Sequence, residues 1–319
     1  MNIFIQMCPS ALLVAAPIII AALGGLFSER SGVVNIAIEG IMVMGAFSAA
    51  ASCYFLEQIP SVSAYAGYIS LGIAVIVGTI YSILLGVSAI NLKADQTIAG
   101  TAVNMLATGL SVYLCQILFA KQRTESFRTG LSRIKEVPFF SEIPMLGDMM
   151  FKNIYPTIFI ALILVVLVWY VAFKTPFGLR LRSCGENPHA SASAGIDVYK
   201  MRWIGVLLSG ALAGLAGACM VLTSGIQFTA ASIHGVGFIS IAALIFGKWN
   251  PWGVLGAGLF FGFSTALGTY ASFIPLISNI PSEFFIAFPY ILTVVALVVF
   301  SGKSAAPKAE GQIYDAGKR

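Results

Sequence analysis

The sequence predicts an all-α polytopic membrane protein with about nine transmembrane helices, in a range of eight to ten. Three observations carry that expectation. Hydrophobic residues make up 58% of the 319 and charged residues only 10%, where soluble domains hold about 25% charged residues; mean hydropathy is +0.92. The apolar residues fall in runs of roughly 20, the length that crosses a hydrocarbon layer. Lysine and arginine gather in alternate connections between those runs.

Taken in order, the apolar runs occupy about 9–27, 37–56, 64–90, 98–120, 154–173, 203–224, 232–247, 252–272 and 284–300. The first, from Pro9 to Phe27, has no Lys or Arg before it. It therefore lacks the basic start of a cleavable signal peptide and reads as the first span. The connection 174–202 carries Lys174, Arg180, Arg182, Lys200 and Arg202, and the tail carries Lys303, Lys308, Lys318 and Arg319. Both belong in the cytoplasm. Alternation of nine spans then puts Arg30, Lys93 and Lys248 inside, with the N-terminus and 57–63 outside. Residues 121–153 fall outside although they carry six basic residues, Lys121, Arg123, Arg128, Arg133, Lys135 and Lys152. Long loops of mixed charge obey the rule weakly. Pro138, Pro144 and Gly147 break this stretch, and an interfacial helix beside the outer mouth is expected. The run 232–247 is short for a span, so a re-entrant hairpin with 252–272 is the competing topology.

An internal repeat supports nine spans. GVVNIAIEGIMVMG (32–45) resembles GVGFISIAALIFG (235–247) with one residue deleted, and each follows a Gly-rich apolar span. The expected organisation is one integral domain over 1–300. Its halves, about 9–120 and 203–300, are joined by the helix 154–173 and the cytoplasmic loop 174–202. The odd helix between them makes the copies run in opposite directions, as in many transporters built on inverted repeats. Residues 301–319 are expected to be a flexible cytoplasmic tail.

Catalytic constellations are lacking. There are two histidines, His189 and His234, and no HExxH, GxSxG or paired-carboxylate pattern. Gly302-Lys303-Ser304 ends like a phosphate-binding loop, but Leu297 stands where that loop needs glycine. The five cysteines (Cys8, Cys53, Cys115, Cys184 and Cys219) lack CxxC pairing, so neither a disulfide frame nor a metal site is expected. The net charge of +5 is spread over loops and tail, which does not suggest nucleic-acid binding.

Glu39 is the most informative single residue, because a carboxylate in a span is costly unless it faces protein or water. With Asn35, four residues earlier, it is expected on one helix face. It either lines a pathway or is satisfied near the cytoplasmic interface by backbone or by Arg30. Gly32 and Gly40 permit a broken helix there. The fourth span carries Thr97, Gly100, Thr101, Asn104, Thr108 and Ser111, a polar stripe that faces a partner helix or an aqueous path. Asn104, at mid-span, is its better pathway candidate. Gly210/Gly214 and Gly258/Gly262 have GxxxG spacing and read as packing seams. Phe238 follows Gly235 and Gly237, where a ring could stack on a flat ligand or simply pack. In the loop 175–197, Asn187-Pro188 starts a helix, small residues continue through Ala194, and Gly195 stops it. The segment 186–196 reads as a short exposed helix for a cytosolic partner, with an ordinary linker as the alternative.

These residues carry a resemblance. SGVVNIAIEGIMVMGAF (31–47), TPFGLRLRSCGENPHASASAGID (175–197) and GVGFISIAALIFGKWNPWG (235–253), with DQTIAGTAVNML (95–106) and FPYILTVVAL (288–297), are similar to the permease subunits of ABC importers for branched-chain amino acids, simple sugars and purine nucleosides. Asn35 with Glu39, together with FGKWNP, looks most like the nucleoside branch. The resemblance implies a type II ABC importer-like permease of the bacterial inner membrane that binds no cofactor itself. Its implied partners are a second related permease, a cytosolic ABC ATPase holding ATP and Mg, and an extracytoplasmic substrate-binding lipoprotein. It also implies a path lined by Asn35, Glu39, Asn104 and Phe238, and a coupling helix containing Glu186, Asn187, Pro188, His189, Ala192, Ala194 and Gly195. The rival reading is an ion-coupled secondary transporter with Glu39 or Asp95 as the proton site. A membrane-embedded enzyme is remote.

Overall fold

Inside a hydrocarbon layer no water can satisfy backbone N–H and C=O groups, so an apolar run must close its hydrogen bonds within itself. The computed structural model describes residues 2–128, 130–136, 152–270, 284, 287, 288, 291 and 306–317. Its long helices are α1 (Asn2–Arg30), α2 (Ile38–Glu57), α3 (Ala66–Gly86, prolonged by a π turn at Val87–Asn91) and α4 (Gln96–Phe119). After a two-stranded antiparallel ladder, β1 (Ile134–Glu136) with β2 (Lys152–Ile154), come α5 (Thr157–Lys174), the short α6 (Pro176–Glu186) and α7 (Pro188–Ser193), then α8 (Val198–Ser224). Last come α9 (Val236–Phe246) and α10 (Pro251–Tyr270). Seven of these, α1–α5, α8 and α10, are long and apolar enough to cross a membrane. The run at 284–300 lies largely outside the described residues.

The first helix is the axis of the bundle. Ile18 to Leu23 are all fully buried, which takes in every side of the helix, and α5, α8, α9 and α10 pack around it. Lipid tails are as apolar as leucine, so close backbone contact rather than water expulsion holds such helices together. Glycine supplies it: Gly45 of α2 lies against the backbone of Gly214 in α8, and Gly217 against that of Met42. Gly262 of α10 does the same toward Ala11 and Ala15 of α1, and Gly258 lies against the Ile19 side chain. The outward faces of α3, α4 and α5 present Ile76, Ile80, Ile98, Met105, Ile117 and Ile163, all exposed.

The connections sort to two ends. At one end Arg30 donates to the Trp249 carbonyl (3.1 Å), Lys93 pairs with Asp315 (2.9 Å), and the Ala309 N–H donates to the Gly185 carbonyl (2.8 Å). At the other, the Arg128 N–H donates to Glu57 (2.7 Å), and the N–H groups of Thr124, Phe127 and Leu131 donate to the carbonyls of Phe228, Ile226 and Leu222. The first end unites the connections expected inside, the second those expected outside.

Two expectations need correction. The run 232–247 is neither a full helical span nor a hairpin. A mostly non-helical stretch with one 3-10 turn (Ala230–Ser232) descends from the Thr124 end, and only then does α9 begin. Eleven residues of helix cover about 16 Å, half a hydrocarbon layer, and deliver the chain to Trp249 at the opposite end. Residues 121–128 and 130–133 form an extended strap, from which the N–H groups of Thr124, Phe127 and Leu131 donate into the chain at 222–228; the stretch broken by Pro138, Pro144 and Gly147, where the interfacial helix is expected, lies outside the described residues. The tail is not free: its residues 306–317 are seated on the Gly185 end, with Ala309 and Tyr314 buried.

With the native cysteines removed, Ser61→Cys and His189→Cys should react with an impermeant maleimide from opposite sides of the membrane, and Lys248→Cys from the His189 side. Labelling of Lys248→Cys from the Ser61 side would mean that 225–250 does not complete a crossing.

Candidate functional site

The site grows from two helix starts that cannot cap themselves. Between α1 and α2 the chain breaks at Gly32 (φ +95°), a left-handed conformation natural to glycine. Ser28 holds the break through its hydroxyl to the Val33 carbonyl (2.7 Å), and Gln96 accepts from the Val34 N–H (2.7 Å). Helix α2 then starts behind Ala37, which offers no side-chain cap, although the first N–H groups of a helix have no partner within it. Asn104, from the middle of α4, supplies one. Its Oδ1 accepts from the Gly40 N–H (2.7 Å) while its Nδ2 donates to the Ile36 carbonyl (2.9 Å). Glycine at 40 makes the approach possible, since a Cβ there would lie 2.8 Å from the Asn104 Cα.

The second start is that of α9, half-buried against α2. Its N-cap position is Gly235 (φ +80°), again without a side-chain cap of its own. The carboxylate of Glu39, in the first turn of α2, fills the place: Oε1 accepts from the Gly235 N–H and Oε2 from the Gly237 N–H, each at 2.7 Å. A negative group at a helix N-terminus also meets the positive end of the helix dipole, worth up to about 2 kcal/mol when partly buried. A Cβ on Gly237 would sit 2.6 Å from the Glu39 Cα. The carboxylate thus joins the first half of the chain to the second at the point where α9 begins.

Of the residues expected in the path, Glu39 and Asn104 come together on the first turn of α2. Phe238 stands 49% exposed just beyond Gly237. Asn35 does not join them. It precedes α2, so it shares no helix face with Glu39, and it is fully buried with its Nδ2 donating to Ser209 Oγ (2.7 Å). It ties the break to α8. The α4 stripe divides: Gly100 and Ser111 are buried, whereas Thr97, Thr101 and Thr108 are exposed. Asp95 is the N-cap of α4, accepting from Thr97 and Ile98 N–H at 2.9 and 3.0 Å. Arg30 serves Trp249 and, at 3.9 Å, Glu186.

Sequence reasoning overlooked Glu29. It is 2% exposed at the end of α1, and its Oε2 accepts from the Trp249 indole at 2.6 Å. The signal that singles out Glu39, a carboxylate bordering an apolar run, applies equally to Glu29. Trp249, at φ +52°, carries no such signal.

At the Gly185 end the short helix expected within 186–196 is α7, and a second short helix, α6, precedes it. Thr175 accepts from the Gly178 N–H (3.2 Å) and starts α6, which ends with Glu186; Asn187 accepts from the Ala190 N–H (3.0 Å) and starts α7. Thr175-Pro176 bears the same start signal as Asn187-Pro188. In α7, His189 is exposed while Pro188 and Ser191 are buried; Ala194 and Gly195 (φ +80°) form its exit.

Chemically, the first turn of α2 and the start of α9 offer a carboxylate, an amide and an exposed ring, with hydroxyls of α4 nearby in the fold. Helices α2, α4 and α9 contain no Lys or Arg to pair with an anion.

Glu39→Gln keeps one acceptor oxygen for two N–H groups and should destabilise the protein by about 1–3 kcal/mol, with uptake reduced but measurable. Glu39→Leu leaves both groups unpaired and should abolish uptake. Gly237→Ala, which displaces Glu39 without altering it, should behave like Glu39→Leu. Melting in detergent and uptake in cells check all three, and normal uptake by Gly237→Ala would refute the close contact.

Residues 8–297 match the family described as branched-chain amino acid transport system / permease component. The chain is 45% identical to the guanosine ABC transporter permease protein NupQ of Bacillus subtilis, over 98% of this chain and 97% of that one. It is 41% identical to the nucleoside ABC transporter permease protein NupC of Lactococcus lactis, over 95% and 94%. Among solved structures, PsaBC from Streptococcus pneumoniae in complex with Fab aligns over 96% of this chain and 93% of that one, with a TM-score of 0.41 and 14% identity. With the family matched from the first helix to beyond the last described one, this multi-pass membrane protein belongs to the branched-chain amino acid transport system permease components.

Proposed function

We propose that the chain is the nucleoside-translocating permease subunit of an ATP-driven bacterial importer, with its N-terminus outside and its C-terminus in the cytoplasm. The observation that carries this reading is the near full-length likeness, at 45% and 41% identity, to permeases named for guanosine and for nucleosides. The path runs beside the first turn of α2, past Glu39 and Asn104, with Phe238 as a stacking surface for a flat, neutral, polar solute. Base stacking on a ring is worth about 1–3 kcal/mol. The absence of Lys and Arg from α2, α4 and α9 suits a neutral solute over an anion.

ATP and Mg belong to a separate cytosolic ATPase, which receives α7. A second related permease covers the exposed faces of this chain, and an extracytoplasmic binding lipoprotein delivers the solute. Glu39 bridges the halves, so their relative rocking in alternating access must carry this bridge along or break it.

Uptake of labelled guanosine should be competed by other nucleosides and not by ribose or leucine. Competition by ribose or leucine alone would assign the chain to another branch of the family. Uptake should also stop when the neighbouring ATPase is deleted and survive an uncoupler; the reverse would favour ion coupling. Ala192→Pro, which costs about 3 kcal/mol inside a helix, should abolish uptake while the chain still reaches the membrane.

A further inference from the structure

Helix α7 has six residues, far fewer than the 12 to 15 or so at which an isolated helix becomes even marginally stable in water. Its conformation must therefore come from what it packs against. Pro188 and Ser191 face inward, and the apolar cluster beside them is built from Cys184 of α6, Val198 of α8 and Tyr314 of the C-terminal segment, with Ala192 and Ile196 against it. The Tyr314 ring lies 5.3 Å from that of His189 and 5.2 Å from that of Tyr199, between centroids. One residue from a distant part of the chain thus touches both the short helix and the long helix that follows it.

The segment that carries Tyr314 is fastened along its length. The Ala309 N–H donates to the Gly185 carbonyl (2.8 Å) at the end of α6, and the Gly311 N–H to the Gly32 carbonyl (3.2 Å) at the break before α2. Arg202, 2% exposed in the first turn or so of α8, donates to the Gln312 carbonyl (3.0 Å), and its guanidinium lies 5.8 Å from the Tyr314 ring. The Glu310 carboxyl reaches that of Glu29 at the end of α1. Asp315 pairs with Lys93 in the connection between α3 and α4 (2.9 Å). These anchors draw on both halves of the repeat. A buried guanidinium needs such partners, which gives the fold a reason to keep the segment seated.

We propose that residues 306–317 are a latch that fixes α7 to the membrane helices, with Tyr314 as its positioning residue, so that motion imposed on α7 reaches both halves of the permease. The proposal rests on reading α7 as the ATPase-contacting helix. Its mechanical part, however, concerns this chain alone. A helix too short to hold itself transmits force only while its inner face is held, and Tyr314 holds that face. The phenol oxygen has no part in it, because the contacts made are those of the ring and of the backbone carbonyl, which accepts from the Tyr199 hydroxyl at 3.5 Å.

The experiment uses the full chain with Ser193→Cys spin-labelled and Cys8 replaced by Ser; the other four cysteines are buried and are left in place. Truncating a buried ring shifts a packing equilibrium by about tenfold or more. Tyr314→Ala should therefore mobilise the label, and in vesicles containing the partner permease, the cognate ATPase and the binding protein it should lower uptake per ATP hydrolysed by about tenfold, with ATP hydrolysis retained. Tyr314→Phe should restore both readouts to those of the parent protein, which a role for the hydroxyl would not allow. An immobile label in Tyr314→Ala overturns the latch whatever the transport result. A mobile label with normal uptake per ATP overturns the positioning role. If Ala192→Pro also transports normally, it is the assignment of α7 that fails, and the label measurement still judges the latch.

Discussion

The structure turns on one carboxylate that caps a helix to which it does not belong. Helix α9 begins part-buried against α2, its first N–H groups have no partner within the helix, and buried backbone donors left unsatisfied cost about 1–3 kcal/mol each. Glu39 answers two of them from the first turn of α2. That turn is itself completed by Asn104 of α4. The three helices thus form a chain of dependence in which α4 caps α2 and α2 caps α9. Each link requires glycine where the two partners meet, at 40 and at 237, because a Cβ would collide with the partner's backbone.

Close backbone approach also governs the remainder of the bundle. Gly45, Gly214 and Gly217 bring α2 and α8 into contact, and Gly258 and Gly262 bring α10 onto α1. Such seams need no apolar driving force, which lipid does not supply. Contacts made of small residues and backbone leave little side-chain interlocking to resist sliding. Besides the Glu39 and Asn104 bonds, polar ties among the described residues join Asn35 to Ser209, Tyr81 to the Val103 carbonyl, and Trp249 to Glu29.

The two ends of the bundle are closed in different ways. At one, the strap of 123–128, 130 and 131 lies along 222–229 by main-chain hydrogen bonds, with Glu57 accepting from the Arg128 N–H. At the other, charged and aromatic side chains do the work: Arg182 and Arg30 lie over the Phe173 ring at 4.8 and 5.9 Å, and Arg202 is covered by the tail. There burial pushes the Glu310 carboxyl above the usual carboxylate range, while its bond to Glu29 and the charge of Arg30 pull it back.

The sequence by itself determined the helical membrane class, the positions of the long helices among the described residues, the Asn187-Pro188 helix start and the need of Glu39 and Asn104 for partners. These are local properties: an apolar run of sufficient length must be helical in lipid, a capping residue acts within one turn, and a carboxylate in such a run needs a partner whatever that partner proves to be. Only the tertiary structure decided who the partner is. Glu39 meets Gly235 and Gly237, 196 and 198 positions away. Asn35 leaves the face it shared with Glu39 in a helical reading, because Gly32 and the Ser28 bond delay the start of α2. Helix α9 is only half a span, starting after left-handed His234 and Gly235 with Glu39 as the acceptor for its first donors. The tail, polar and proline-bearing, has the composition of a loose end, yet it is held by Gly185, Gly32, Arg202 and Lys93. Hydropathy is summed along the chain, whereas these contacts depend on which surfaces the packed helices bring face to face, and no one-dimensional pattern records that.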